Sequence, residues 1–117
     1  MKYRVIKEHQ PYKETILKIK KGDIVFVGEK YNENLNWNNW IKCSSQENVS
    51  GWVPEQILKI KENLATVLED YDDKELFVHE NDIVTGEGIV NGWLRCKKIN
   101  ENKYGWVPLE NLIPINQ

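Results

Sequence analysis

This chain states most of its pattern twice. Trp40-Ile41-Lys42-Cys43 returns as Trp93-Leu94-Arg95-Cys96, 53 positions later. Gly51-Trp52-Val53-Pro54 returns as Gly105-Trp106-Val107-Pro108 after 54, and Asp23-Ile24-Val25 as Asp82-Ile83-Val84 after 59. Leu17 and Ile19 precede the first Asp as Leu76 and Val78 precede the second. Shared order and spacing mean a duplicated folding unit. The first copy has six extra residues between its Asp and its Trp, in the Asn-rich stretch from Glu29 to Asn39, which reads as a loop tip. The 117 residues therefore divide into two expected domains, 1–60 and 61–117, each near the lower size limit for a self-sufficient core. The connection at Lys61-Glu62-Asn63 is short and lacks Gly, Ser and Pro, so the two domains are expected side by side in one orientation.

Length and charge remove several classes of function. Rossmann and barrel enzymes need well over ~200 residues. The chain carries 16 basic and 18 acidic groups, so neither nucleic acid nor a membrane surface is an expected partner. Residues 1–60 hold ten basic and seven acidic groups, while 61–117 hold six and eleven. The longest apolar run, Ile24-Val25-Phe26-Val27, is far too short to span a bilayer. The opening Met1-Lys2-Tyr3-Arg4 has no apolar leader core, so a cytoplasmic location is expected, or an extracellular one had a leader been removed.

The periodicity is that of strands. Leu17-Lys18-Ile19, Val25-Phe26-Val27, Leu76-Phe77-Val78 and Ile113-Pro114-Ile115 alternate, and turn signals such as Lys21-Gly22-Asp23, Glu80-Asn81-Asp82 and Asn91-Gly92 lie between such runs. Short, evenly spaced strands predict an all-β fold with five strands per copy, closed or nearly closed to protect its edges. Pro54 and Pro108 should end a strand, with a 3₁₀ turn after each. Cys43 and Cys96 stand three residues after a Trp in equivalent places. They read as one small core residue per domain rather than as a disulfide or metal pair.

Catalytic sets are not suggested. The only histidines are His9 and His79, and no Cys-His or Ser-His-Asp arrangement recurs in the repeats. No metal or cofactor is expected, because C-x-x-C, H-E-x-x-H, a calcium loop and a glycine-rich phosphate cradle do not occur.

The second copy reads Val67-Leu68-Glu69-Asp70-Tyr71, then Glu75-Leu76-Phe77-Val78, Asn81-Asp82, Trp93 and Gly105-Trp106-Val107-Pro108. This order resembles the Src-homology-3 (SH3) pattern of ALYDY, ELxF before GD, a Trp, and G-[YFW]-[IV]-P. The first copy carries Lys21-Gly22-Asp23, Trp40 and Gly51-Trp52-Val53-Pro54. The resemblance covers nearly the whole chain and implies two tandem five-stranded SH3-like β-barrels. The implied core of the first is Val5, Leu17, Ile19, Val25, Val27, Cys43, Val53 and Leu58. That of the second is Val67, Leu76, Val78, Val84, Cys96, Val107 and Leu112, thinner where Gly86 matches Val27.

The resemblance also implies a groove of aromatic rings for polyproline II peptides. Trp40 and Trp93 match its Trp, and Pro54 and Pro108 its Pro. Tyr71 matches the last ALYDY tyrosine, where the first copy has His9, with Tyr12 nearby as a substitute. The later groove Tyr is replaced by Ile57 and Asn111. Asp72, Asp73 and Glu75 are the acids available to meet a basic ligand beside Trp93. One groove is thus expected to use His9, Tyr12, Trp40 and Pro54, the other Tyr71, Asp72, Asp73, Trp93 and Pro108. Trp52 and Trp106 read as structural. Trp37, with Tyr31 and Leu35 near it, reads as an exposed apolar loop tip. The expected function is non-enzymatic binding of a protein or peptide, proline-rich or basic. The alternatives are a bacterial SH3-like module for cell-wall glycan (peptidoglycan), and a scaffold whose two grooves are buried at the interdomain interface.

Overall fold

The structure is a computed structural model that describes residues 1–34 and 36–116. In chain order the strands are β1 (Lys2–Val5), β2 (Lys18–Ile19), β3 (Ile24–Lys30), β4 (Trp40–Ser44), β5 (Ser50–Pro54) and β6 (Leu58–Lys61). They continue as β7 (Leu64–Val67), β8 (Tyr71–Asp72), β9 (Ile83–Val90), β10 (Trp93–Lys98), β11 (Tyr104–Pro108) and β12 (Leu112–Ile115). One 3₁₀ turn, Glu55–Ile57, follows Pro54, and another, Leu109–Asn111, follows Pro108, as the prolines require. The protein is all-β, built on two five-stranded antiparallel sheets of order β5-β4-β3-β7-β6 and β11-β10-β9-β1-β12, each compatible with an SH3-like barrel.

Repeat and compact unit do not coincide. One unit, the insert, is the continuous segment Lys13–Asp73. The other, the host, joins Met1–Tyr12 to Lys74–Gln117. The expected boundary after residue 60 is therefore corrected. Lys61 pairs with Leu64 across a two-residue turn in which Glu62 takes φ 58°, so the chain returns at once and β7 lies antiparallel to β6 and β3. The equivalent first strand, β1, pairs with β9 and β12 of the second copy. The arms beyond these strands follow the same rule: His9 bridges Val78, and Tyr71 pairs with Ile19. Each sheet has thus taken the first strand of the other repeat.

Side-chain volume fits this exchange. A Cβ on Gly86 would lie 2.8 Å from Tyr3 Cε1 and 3.1 Å from Leu94 Cδ1, so the Tyr3 ring fills the space that looked thin in sequence. In the insert the matching residues are Ala65 and Val27, small and large reversed. The backbone bonds there correspond: Gly86 N–H donates to Met1 O at 2.8 Å and Val27 N–H to Asn63 O at 2.8 Å. Without exchange, Tyr3 would crowd Val27 and Ala65 would leave a void beside Gly86.

The remaining core is as expected, except that Val5 and Val67 change units and Val27 is only half-buried. Cys43 and Cys96 are buried free thiols in separate units. The repeated Asp has a local role: Asp23 Oδ2 accepts from Lys20 N–H and Asp82 Oδ2 from His79 N–H, both at 2.9 Å. Gly22 (φ 94°) and Asn81 (φ 76°) supply the left-handed residue each turn needs. The uneven charge of the sequence halves also changes. The host has eight basic and seven acidic groups, the insert eight and eleven.

Candidate functional site

In the host, β10 and β11 place Trp93 opposite Pro108. The N-terminal arm brings His9 to this pair: its ring lies 5.5 Å from Trp93, edge-on at 80°. His9 Nε2 lies 2.7 Å from Glu75 Oε1, which fixes the ring's direction. Asn111, where the family pattern has a Tyr, is buried and donates through Nδ2 to Lys7 O at 3.2 Å and Glu8 O at 3.4 Å. It ties the arm down instead of offering a ring. Pro108 is buried and Trp93 half-buried.

In the insert, Trp40 stands opposite Pro54, but Trp40 is only 5% exposed, and Pro54 and Ile57 are also buried. Tyr71 is half-buried and its hydroxyl donates to Trp52 O at 2.8 Å. The inserted loop folds back on its own unit. Tyr31 meets Trp52 edge-on at 5.2 Å, and Trp37, half-buried, lies 6.0 Å from Tyr31. This corrects the exposed loop tip for Tyr31 and Trp37; Leu35 lies outside the described residues.

The exchange therefore reassigns the expected site residues. His9 and Tyr12 belong to the unit of Trp93 and Pro108, while Tyr71, Asp72 and Asp73 belong to that of Trp40 and Pro54. Tyr12 is 64% exposed, and Asp72 is half-buried in β8 opposite Lys18. Asp73 is not placed to meet a ligand. It is buried, its Oδ1 accepts Leu17 N–H at 2.7 Å, and its Oδ2 pairs with Lys13 Nζ. Lys13 Nζ also donates to Ser50 O at 2.7 Å. This ion pair lies where a Cβ on Gly51 would fall. Gly105 answers the same need in the host, where its Cβ would come within 2.9 Å of Leu76 N and Lys74 O. The Gly of each Gly-Trp-Val-Pro thus admits the segment that joins the units in sequence.

Trp106 is buried under Arg95, whose guanidinium carbon lies 5.6 Å from that ring and 4.5 Å from Tyr104. Trp52 is half-buried, with Lys42 Nζ 5.9 Å from its ring. Sequence reasoning missed the grip of Asn111 and the His9–Glu75 contact. The replacement of the groove Tyr by Asn111 carried no sign in sequence of what the Asn would hold.

Residues 2–61 match the family model of the variant SH3 domain. That is half of the chain, which therefore belongs to the variant SH3 domain family. Proteins of this class are interaction modules that generally bind protein or peptide ligands and are typically non-catalytic. The matched stretch is one sequence repeat, and its residues are shared between the units: β1 in the host, β2 to β6 in the insert. Neither a curated protein nor a solved structure matches the chain.

Proposed function

We propose that the chain is a peptide-binding module whose working groove is that of the host, formed by His9, Trp93 and Pro108. The observation that carries this reading is the His9 ring set edge-on to Trp93 and held by Glu75. It gives Trp93 an oriented aromatic partner where the family pattern has a tyrosine, and a half-buried Trp is a frequent anchor for a bound segment. With Glu75 engaged by His9, the acid beside this ring is already committed to an internal contact. The groove then suits an extended, proline-containing apolar segment better than a strongly basic one. Burial of Trp40, Pro54 and Ile57 favours a structural role for the matching residues of the insert, as in a scaffold.

The test is a titration of the ¹⁵N-labelled full chain, followed through its Trp indole signals. The additions are a proline-rich peptide, a lysine-rich peptide and soluble peptidoglycan fragments, each separately. The proline-rich peptide should move the Trp93 indole and leave that of Trp40 in place, and Trp93→Ala should abolish the response. A response to peptidoglycan alone transfers the function to wall binding. No movement with any addition overturns the groove.

A further inference from the structure

The two sheets have the same strand order, but their outer faces are finished differently. In the host, the strand between β9 and β12 presents cations: Lys2 lies between Thr85 and Ile115, and Arg4 between Ile83 and Ile113. The long stems of these cations can cover neighbouring apolar surface, and Ile83, Ile113 and Ile115 are half-buried. The corresponding strand of the insert, β7, presents Leu64 beside Phe26 and Thr66 beside Ile24. Leu64 is 40% exposed, Ile24 41% and Phe26 52%. The insert's cations have moved to the sheet edge. On β6, Lys61 pairs with Leu64 and Lys59 with Thr66, and directly paired residues share a face. The result is an apolar strip of Ile24, Phe26 and Leu64 bordered on one side by two lysines. The host shows that the fold does not require such a strip.

We infer that this face of the insert is a second docking surface, separate from the aromatic groove, for an apolar segment flanked by acidic residues on a partner protein. The apolar strip would supply contact area, and Lys59 and Lys61 would fix the partner's sign and orientation. A second copy of this chain paired edge to edge along β6 is a poorer occupant, because it would bring the same two lysines together. A lipid surface is also poorer, since side chains on a sheet face do not project past their neighbours as a loop tip or helix does.

The test uses the ¹⁵N-labelled full chain and a synthetic peptide with an isoleucine-phenylalanine-leucine centre flanked by glutamates. The comparisons are the same centre flanked by lysines, and phosphatidylserine-containing vesicles. The glutamate-flanked peptide should shift the amides of Ile24, Phe26, Leu64 and Thr66, and not the Trp93 indole. Binding should weaken as salt is raised. Leu64→Lys and Phe26→Thr place at these positions what the host carries at Lys2 and Thr85, so the fold should tolerate both. Each should weaken binding about tenfold. Absence of these shifts, equal binding of the lysine-flanked peptide, a preference for vesicles, or self-association abolished by Leu64→Lys would each overturn the proposal. Because the readout excludes the Trp93 indole, the groove and this face can fail separately.

Discussion

Cys43 and Cys96 show how burial sets chemistry at a single position. Burial pushes the Cys43 thiol up from 9.0 to about 11. It pushes Cys96 up to about 12, with the nearby charge of Glu87 adding to the rise and Arg95 opposing it. An acid whose folded pKa is raised keeps its proton longer in the native state than in the unfolded one. Its contribution to stability is therefore complete below pH 9.0 and falls as pH climbs from there through the folded values. Urea midpoints measured from neutral to alkaline pH should fall more steeply for the native sequence than for a variant with both thiols changed to Ala. The native thiols should also resist a thiol reagent at neutral pH. The place of each Cys was legible, because alternation after the Trp put it on the core side. The role of Asp73 was not. In sequence it is an acid after a Tyr-Asp pair, like any ligand-facing carboxylate, and its burial depends on Lys13, sixty residues earlier in the chain.

Among elements, β1 and β7 carry the main departure from expectation. Both strands fit the apolar alternation of either sheet, so the repeat itself cannot say which sheet receives them. Two clues were nonetheless present. The two-residue connection after Lys61 leaves β7 little choice but a hairpin with β6. The pairing of a large Tyr3 with a missing side chain at Gly86 selects the sheet for β1. The second clue required facing residues to be compared across the two repeats, not along one. It gives a double-mutant cycle. Gly86→Val should destabilise by about 2 kcal/mol through overpacking, and Tyr3→Ala by about 3 kcal/mol through the cavity it leaves. Together they recreate the insert's own combination of Val27 and Ala65. The double variant should therefore lose at least about 1 kcal/mol less than the sum, as read from chemical denaturation.

For the whole molecule, the exchange decides which pieces of chain can stand alone. Residues 13–73 contain all five strands of one sheet as well as the short pair β2 and β8. This segment should fold by itself, with a cooperative thermal transition in near-ultraviolet circular dichroism. Residues 1–61 should not, because β7 is missing from between β3 and β6 and β1 is too bulky there to replace it. A cooperative transition in 1–61 would show that the repeat, not the exchanged unit, is the folding unit. The family and the strand pattern were legible in one repeat, whereas assigning site residues to grooves needed the exchange. The antiparallel pairing of β1 with β12 also sets how the host answers mechanical load. Lys2 lies opposite Ile115, so tension applied between these two residues pulls the strands apart from one end. The ladder opens like a zipper, rung by rung toward Val5 and Leu112, and never bears the load on all its bonds at once. The host should consequently yield to small forces along this direction, and more reluctantly when the pull is moved to sites that shear the same strands past each other.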